Sequence, residues 1–454
     1  MKVNRRTFVS SSVAGAGLGT TWGAKQRPVG ANDRIRVGSI GVGGMGRYNL
    51  GDFLKMPEVD VVAVCDVWEH NQDRAVKMTD GKAEPYSDFR RVLDRKDVDV
   101  VVVSTPDHWH APIMIAACEA GKDVYTEKPV SHTLREGRKM VEAAQRAGCV
   151  VQVGTQQRSG AHYQEAVDLI RSGKIGQVTR VHAWNFVNES PRGIGTHPTS
   201  TAPEGLDWDM YLGPAPKVPF HPSRFIYYFR WFWAYSGGTM TDWGTHHFDT
   251  IHWAMNVKAP RSVFATSSKM VIRDDKETPD TMEVVLEYPD FIATFSQRDT
   301  NARSHYDSKY GIEFFGTDAT LFINRNGFQV FPEVMGRYED LESPYLREVA
   351  SIQNQPKPWE DKDRNRKTRA EYRVGAKSEL HVGHVRNFIE CVKTRSKPAA
   401  DIETGHYSTS APLLANVALK VGRKIEWDWK KEEVVGDQEA NQLLTKEYRQ
   451  PWEV

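Results

Sequence analysis

The chain has 454 residues, more than one ordinary hydrophobic core accommodates, so we expect two domains. Its 60 Lys and Arg residues nearly balance its 59 Asp and Glu residues, and a formal net charge of +1 removes the usual electrostatic argument for a nucleic-acid partner. No apolar run reaches the ~18 residues that span a bilayer, so we expect no stable membrane insertion. The cysteines have no paired spacing, and we predict neither a disulfide framework nor a zinc site.

Residues 1–30 are interpreted as an export signal followed by a linker. An adjacent arginine pair, Arg5-Arg6, precedes Phe8 and a mild stretch of Ser, Ala, Gly and Val, with a small-residue site near Ala24. This arrangement is typical of a twin-arginine signal, although an arbitrary basic N-terminus is the alternative. Because the twin-arginine route carries folded proteins, often with their cofactor in place, the pattern predicts a periplasmic protein.

The first predicted domain, residues 31–154, is organised around the segment from Arg34 to Asp66. A short apolar run leads into glycines with G-x-G-x-x-G spacing, then a helix-length segment, then a second apolar run that ends in an acid. The first glycine permits a tight turn, the second leaves room for a pyrophosphate, and the third lets the helix pack close to the strand. Free N–H groups at the helix N-terminus face the phosphates, and the acid accepts hydrogen bonds from an adenosine ribose. The predicted cofactor-binding residues here are Gly41, Gly43, Gly44, Met45, Gly46 and Asp66.

The rest of the first domain alternates between strands and helices, which predicts an α/β fold with a doubly wound parallel sheet. One helix, His110 to Ala120, ends at a glycine. Another, Leu134 to Ala147, begins with a capping box formed by Thr133 and Glu136. The predicted strands are Ile35–Ile40, Val59–Val64, Val98–Ser104, Asp123–Tyr125 and Val150–Val153.

Two loops at the carboxyl ends of predicted strands carry further candidate site residues. Ligands bind in the crevice outside these strand ends in open parallel sheets. Thr105, Pro106 and His108 follow one strand, where a cofactor wall competes with a merely rigid loop. Glu127 and Lys128 follow another. Desolvation beside a ligand would lower the pKa of this lysine towards useful acid–base chemistry, although a surface lysine is the commoner outcome.

The second predicted domain, residues 155–425, has a different pattern. A helix (160–172) and a half-buried strand (178–187) precede a Pro-, Gly- and aromatic-rich stretch (188–236). Short alternating strands from 261 to 331 have short connections and predict antiparallel hairpins. Two helices, Leu380–Val392 and Ser408–Val421, come after a charged segment at 360–373. We expect residues 426–454 to form a strap over the body of the protein.

A glycine-led helical stretch from Gly237 to Asp249 contains Asp242 and His246 one turn apart. An acid in this position can orient the imidazole ring and raise its basicity, as a general base requires. Two alternatives compete with this interpretation: a histidine satisfied within the core, and a metal site built from Asp242, His246 and His247. Adjacent histidines on a helix point about a quarter-turn apart, so we predict no metal.

The glycine segment, Glu127-Lys128-Pro129 and the Gly237–Asp249 stretch, in this order and spacing, resemble the Gfo/Idh/MocA family of glucose–fructose oxidoreductase and inositol dehydrogenase. The resemblance covers most of residues 32–425. It implies an N-terminal Rossmann domain and a C-terminal α/β domain with an open, mainly antiparallel sheet that often mediates oligomerisation, here as a homodimer or homotetramer. It also implies a nicotinamide cofactor and carries over Lys128, Asp242 and His246 as catalytic residues. Asp66 favours NAD over NADP.

These features predict an NAD(P)-dependent oxidoreductase that transfers a hydride between nicotinamide and a secondary hydroxyl of a sugar, cyclitol or glycoside. Arg158, Trp243 and His247 are the substrate-binding candidates, with a surface charge as the alternative for Arg158. A redox-neutral glycoside hydrolase or lyase, acting through a transient keto-sugar with tightly bound NAD, stays open. A non-catalytic sugar or NAD sensor is a further alternative, which the joint presence of three catalytic residues disfavours.

Overall fold

The computed structural model describes residues 34–304, 306–333, 371–376 and 379–454. The predicted export signal and linker at 1–30 lie outside the described residues, as does most of the charged segment 360–373. In this described part of the chain, no helix combines the length and apolar character needed to cross a bilayer. The four cysteines are free thiols.

Six parallel strands form the sheet of the first domain, and helices cover both of its faces. These elements are β1 (Ile35–Ile40), α1 (Gly44–Leu54), β2 (Val59–Cys65), α2 (Glu69–Met78), β3 (Glu84–Tyr86), α3 (Phe89–Leu93), β4 (Val100–Val103), α4 (His110–Glu119), β5 (Asp123–Thr126), α5 (Leu134–Ala147) and β6 (Val151–Val153). The order across the sheet is β3-β2-β1-β4-β5-β6, which confirms the predicted doubly wound sheet. Its central strands are buried on both faces, as all four valines of β4 are, so they occur in the sequence as continuous apolar runs.

Local sequence signals fix several boundaries of the first domain. In α5, the Thr133 side chain accepts a hydrogen bond from the Glu136 backbone N–H, and Gly148 ends the helix in a left-handed conformation with φ 65°. The short strand β3 was not predicted, because Pro85 lies within it. A proline is tolerated there because β3 is the edge strand of the sheet.

Within the described residues, the second domain contains a ten-stranded mixed sheet in which only β7 and β10 pair in parallel. The strands are β7 (Val178–Phe186), β8 (Ser262–Ser268), β9 (Thr281–Glu287), β10 (Ile292–Arg298), β11 (Tyr310–Gly316), β12 (Ala319–Asn324), β13 (Gly327–Pro332), β14 (Tyr372–Gly375), β15 (Ile425–Asp428) and β16 (Glu433–Val434). The helices are α6 (Ala161–Arg171), α7 (Trp208–Leu212), α8 (Gly238–Asp242), α9 (Gly244–Met255), α10 (Leu380–Thr394), α11 (Ile402–Val421) and α12 (Gln438–Gln442). Phe248 and Ile251 of α9 share the main core cluster with Val181 and Phe295 of the sheet.

Helices α10 and α11 connect the second domain back to the first. Phe388 of α10 packs edge-on against Phe53 and Tyr125, so this helix completes the core of the first domain. Helix α11 begins six residues before its predicted start, because the Asp401 side chain caps it by accepting hydrogen bonds from two backbone N–H groups. The two domains are therefore joined by packed helices as well as by the chain crossing near residue 155.

The C-terminal residues also contact both parts of the molecule. Strand β15 extends the second sheet by pairing with β8. Further on, the Arg449 guanidinium donates to the Gly213 carbonyl, and the Trp452 ring packs against Trp109 of the first domain with ring centroids 4.7 Å apart. These contacts hold the C-terminal residues against both domains.

Candidate active site

A cavity runs along the carboxyl ends of the first sheet, from Asp66 at one end to Lys128 and Asp242 at the other. The glycine segment and the loops after β4 and β5 form its floor, and residues 208–231 of the second domain cover it. We refer to residues 208–231 as the aromatic wall. The first-domain residues lining the cavity include Gly41, Gly43, Gly44, Met45, Asp66, Thr105, Pro106, Asp107, Trp109, Glu127 and Lys128, and the aromatic wall contributes Met210, Tyr211, Phe225, Ile226, Tyr227, Phe229 and Arg230.

The glycine segment has the shape that a pyrophosphate requires. Gly41 has φ 79°, and a Cβ there would lie 2.7 Å from the Thr105 backbone nitrogen. A Cβ at Gly46 would lie 1.8 Å from the Gly41 carbonyl oxygen, so the close approach of α1 to β1 depends on this glycine. Gly43 and Gly44 face open space, and no side chain caps the N-terminus of α1. The helix thus presents its N–H groups to the cavity, where a phosphate fits.

Asp66 lies at the end of β2, where an adenosine ribose would bind. Its carboxylate accepts hydrogen bonds from the backbone N–H groups of Val42 (2.9 Å) and Trp68 (3.0 Å). Burial raises the pKa of this carboxyl to about 6, and the hydrogen bonds to its ionised form only partly offset that effect. The Asn71 side-chain amide also donates to this carboxylate, at 3.3 Å. The carboxylate lines the cavity, so its remaining acceptor site suits a ribose hydroxyl.

Lys128 and Asp242 meet at the other end of the cavity. The lysine Nζ lies 2.6 Å from the Asp242 Oδ1 and 3.0 Å from the Asp242 backbone carbonyl oxygen. The Arg230 Nε also donates to Asp242 Oδ1, at 3.2 Å. Burial alone would raise the pKa of Asp242, but the charges of Lys128 and Arg230 outweigh it and hold this pKa well below its usual range. One carboxylate thus fixes two cations beside the cavity.

His246 lies one turn beyond this pair on α9, and its ring is buried. Burial, followed by the nearby charge of Lys128, lowers its pKa well below the ordinary value, so the imidazole is neutral near pH 7. Its Nδ1 has no hydrogen-bond partner among the described residues. The structure differs from the expectation that Asp242 orients this ring, because the Asp242 carboxylate instead accepts hydrogen bonds from Lys128 and Arg230.

Three other predicted cofactor-binding residues, Thr105, Pro106 and Glu127, line the cavity. The Glu127 carboxylate accepts a hydrogen bond from the Asn49 side chain at 3.0 Å, so its position is fixed. His108, also predicted to contact the cofactor, is fully buried outside the set of lining residues, with its Nε2 3.2 Å from the Tyr211 carbonyl oxygen. It supports the aromatic wall from behind.

The predicted substrate-binding residues fall into two groups. Trp243 and His247 lie beside His246, and the ring centroids of Trp243 and His247 are 6.0 Å apart. Arg158 is neither a surface charge nor available to a substrate. Its Nε donates to the Asp249 carboxylate at 2.8 Å, and its side chain is 11% exposed. This ion pair joins the loop after β6 to α9.

Sequence reasoning missed the contribution of the aromatic wall to the cavity. Arg230, Tyr227 and Phe229 lie in a 3₁₀ segment, Ile226–Trp231, where no helix or strand periodicity marks them. The available signal was the density of aromatic residues in this stretch. Ile226 adopts φ 53°, which is strained for a β-branched residue, and such strain is concentrated at functional sites.

Among the described residues, no group of three or more His, Cys, Asp or Glu side chains is arranged to hold a metal ion. The site instead brings together an open glycine turn, the acid Asp66 and a lysine–aspartate pair beside a neutral histidine. A glycine turn after the first strand of a parallel sheet, with an acid after the second strand, is the arrangement of a dinucleotide-binding domain.

Comparison with known families supports this assignment. Residues 35–155 match the model described as an oxidoreductase family with an NAD-binding Rossmann fold. Residues 171–290 and 377–454 match the model of the same family's C-terminal alpha/beta domain. The chain belongs to the Gfo/Idh/MocA family.

Individual relatives match over part of their length. Inositol 2-dehydrogenase of Salmonella typhimurium is 32% identical over 154 residues, which is 34% of this chain and 46% of that protein. A glycosyl hydrolase family 109 protein of Saccharopolyspora erythraea is 36% identical over 207 residues, which is 38% of this chain and 44% of that protein. The chain thus spans less than half the length of these curated relatives.

Solved structures match over much more of the chain. Levoglucosan dehydrogenase in complex with NADH and L-sorbose has a TM-score of 0.64 at 17% identity, covering 87% of this chain and 99% of that one. The WlbA dehydrogenase of Bordetella pertussis, in complex with NADH and UDP-GlcNAcA, has a TM-score of 0.62 at 20% identity with the same coverage. At these identities the likeness concerns the fold.

Proposed function

We propose that the protein is an NAD-dependent oxidoreductase that transfers a hydride between nicotinamide and a secondary hydroxyl of a sugar, cyclitol or glycoside. The observation that carries this proposal is the placement of Lys128 and Asp242 at one end of a cavity whose other end holds the glycine segment and Asp66. The names of the matched relatives, inositol 2-dehydrogenase and levoglucosan dehydrogenase, agree with such a substrate class.

The residues present fit a bound dinucleotide. The N-terminus of α1 and the open backbone at Gly43 and Gly44 would hold the pyrophosphate, and Asp66 would hold the adenosine ribose. The bound nicotinamide supplies the acceptor or donor of the hydride. We further propose NAD rather than NADP, because a carboxylate at the ribose accepts a hydrogen bond from a ribose hydroxyl and repels a 2′-phosphate.

The protein's own residues manage the proton and the charge on the substrate oxygen. The neutral imidazole of His246 can take the hydroxyl proton as general base. Lys128 donates a hydrogen bond to the same oxygen and stabilises the negative charge that develops there. Asp242 holds the lysine in place, and Arg230 shares that carboxylate. The aromatic wall covers the cavity and excludes water from the reacting groups.

The test uses the purified full-length protein. Denaturation followed by chromatography identifies any nucleotide that co-purifies, and added sugars and cyclitols are then screened for NADH formation and for keto products. We expect NAD to be released and a keto product to appear with NADH. The Lys128→Met variant should bind the same nucleotide without turnover. Absence of both NADH and keto product across the screen would contradict the proposal.

A redox-neutral cleavage of glycosides is the second candidate, and two observations favour it. Glycosyl hydrolase family 109 proteins are among the matched relatives, and the aromatic wall encloses the cofactor cavity. In such a reaction the transient keto group would acidify the neighbouring C–H, the glycosidic group would leave as its alcohol by elimination, water would add to the resulting double bond, and the keto group would be reduced again. Release of an aglycone without net NADH formation distinguishes it from a dehydrogenase. Sugar binding that is unaffected by Lys128→Ala, with no turnover, would instead indicate a sensor.

Two properties of the whole protein belong to the same proposal. The Arg5-Arg6 pattern supports export to the periplasm by the twin-arginine route. The exposed apolar side chains Phe264, Val285 and Ile292 on the second sheet support a homo-oligomer. Fractionation of cells that carry the native chain or an Arg5→Lys, Arg6→Lys variant tests the first property. Light scattering after size-exclusion chromatography tests the second.

A further inference from the structure

Arg325 lies between β12 and β13, close to the proposed catalytic residues but outside the set described so far. Its guanidinium carbon is 5.1 Å from the centroid of the Trp243 ring. Trp243 directly follows Asp242 in the chain, and its ring centroid is 6.3 Å from that of His246. The guanidinium and the proposed catalytic base therefore both lie near one indole ring.

Among the described residues, the Arg325 guanidinium has no carboxylate partner, whereas the neighbouring cations each have one. Lys128 and Arg230 are both bound to Asp242, and Arg158 is bound to Asp249. Within the described residues, the contact of Arg325 with Trp243 is its one ring contact, and no hydrogen bond or ion pair joins it to another side chain. The side chain is only partly exposed. A partly buried guanidinium whose five N–H donors have no acceptor is suited to receive an anion.

Three buried histidine nitrogens without partners are within electrostatic range of this cation. The Nδ1 atoms of His246 and His381 and the Nε2 of His247 have no hydrogen-bond partner among the described residues. His246 and His247 are 5% and 4% exposed. The charge of Arg325 acts on all three rings, since after burial it is among the causes that lower their pKa values. Unpaired donors and acceptors beside an unpaired cation match a polyhydroxylated ligand that carries a negative charge.

The location of Arg325 separates this ligand from the cofactor. The adenosine end of the cavity is at Asp66, where a carboxylate would repel a further phosphate. Arg325 instead lies beside Trp243, which directly follows Asp242 at the opposite end of the cavity. The anionic group it would bind thus belongs to the substrate and not to a 2′-phosphorylated dinucleotide.

We propose that Arg325 determines substrate specificity and that the natural sugar or glycoside carries an anionic group, a carboxylate or a phosphate, which binds this guanidinium. The inference rests on the proposed function, since it names the substrate class of the same site. A guanidinium binds either anion through two parallel hydrogen bonds, and a charge-assisted hydrogen bond of this kind contributes about 10- to 100-fold in affinity.

The test compares matched ligands that differ at one position: a neutral hexose, its uronic acid and its 6-phosphate, with the corresponding glycosides. Binding is measured by calorimetry on the full-length protein in its NAD-bound form, and turnover is measured in parallel as NADH or released aglycone. We expect one anionic member to bind about 10- to 100-fold more tightly than its neutral counterpart. The member that binds identifies the anion as a carboxylate or a phosphate.

Three variants show whether Arg325 is responsible. Arg325→Met should remove the preference for the anionic ligand while leaving the neutral ligand's affinity unchanged. Arg325→Lys should keep part of the preference, because lysine retains the positive charge but cannot donate the two parallel hydrogen bonds of a planar guanidinium. Arg180→Met is the matched control: Arg180 also lies over an aromatic ring, that of Phe315, 5.4 Å away on the second sheet. We expect no change from it.

The outcomes separate this inference from the proposed function. Anion-dependent binding that Arg325→Met abolishes, without any turnover, would support the inference and contradict the oxidoreductase proposal. Turnover of neutral sugars with no tighter binding of any anionic member would overturn the inference alone. Equal loss of neutral and anionic binding in Arg325→Met, with Arg325→Lys unable to restore the preference, would show that the residue only maintains the structure, and would also overturn it.

Discussion

Cofactor binding should depend on pH through Asp66. The free protein holds the pKa of this carboxyl at about 6, and burial is the main cause. A ribose hydroxyl donates to the ionised carboxylate, so binding favours the deprotonated form. Below this raised pKa, Asp66 is protonated in the free protein but not in the complex. Because binding must then release this proton, the affinity for the cofactor falls as the pH falls. At about pH 5 a tenth of the molecules are ionised, so the dissociation constant for NADH should be about tenfold larger than at about pH 8.

Fluorescence titration of the apoprotein with NADH between these two pH values measures the effect. Calorimetry in two buffers with different ionisation heats should also show close to one proton released per NADH bound at the acidic end. The Asp66→Asn variant is the control, because its amide cannot titrate: we expect weaker binding at neutral pH and a flat profile. A flat profile in the wild-type protein, or the same slope in the variant, would refute the assignment of Asp66 to the ribose.

Other substitutions test the remaining parts of the site. Lys128→Met should lower kcat about 100-fold or more while NADH affinity stays near the wild-type value, and unchanged turnover would remove this lysine from the mechanism. His246→Asn should cause a comparable loss of kcat, and wild-type rates would show that another group is the base. Gly46→Ala places a Cβ 1.8 Å from a carbonyl oxygen, so the free energy of unfolding should fall by about 1–3 kcal/mol, visible as a lower Tm; an unchanged Tm would contradict the close packing of α1. Trp452→Ala removes a ring that supports Trp109 in the cavity lining, and we expect faster NADH dissociation in stopped-flow measurements, whereas an unchanged rate would show that the strap does not stabilise the site.

The sequence predicted the first domain well because its signals are local. The glycine spacing, the valine-rich strands and the capping box of α5 each depend on residues a few positions apart, and each forms as predicted. The pairing of Lys128 with Asp242 joins residues 114 positions apart, and only the family resemblance brought them together before the structure was known.

Long-range contacts account for what the sequence did not show. Arg158 was interpreted as a substrate contact or a surface charge, and nothing near it in the chain indicated Asp249, its partner 91 positions away. Arg230 was missed because a 3₁₀ segment has no long periodic pattern. The early start of α11 was missed because Asp401 caps it ahead of residues that carry little amphipathic pattern.

The way α10 and α11 join the two domains determines how a nucleotide can enter and leave. Ile402 at the start of α11 is part of a first-domain core cluster, and Leu414 of the same helix is part of the second-domain core. Hinge motion between the domains would disrupt these cores, so the domains cannot separate as rigid halves at low energetic cost. Movement of the segment that covers the cavity would cost less than separation of the domains, and this segment contains Ile226 with its strained φ of 53°. We therefore expect the residence time of a bound nucleotide to depend on the few side chains of this segment rather than on the packing between the domains.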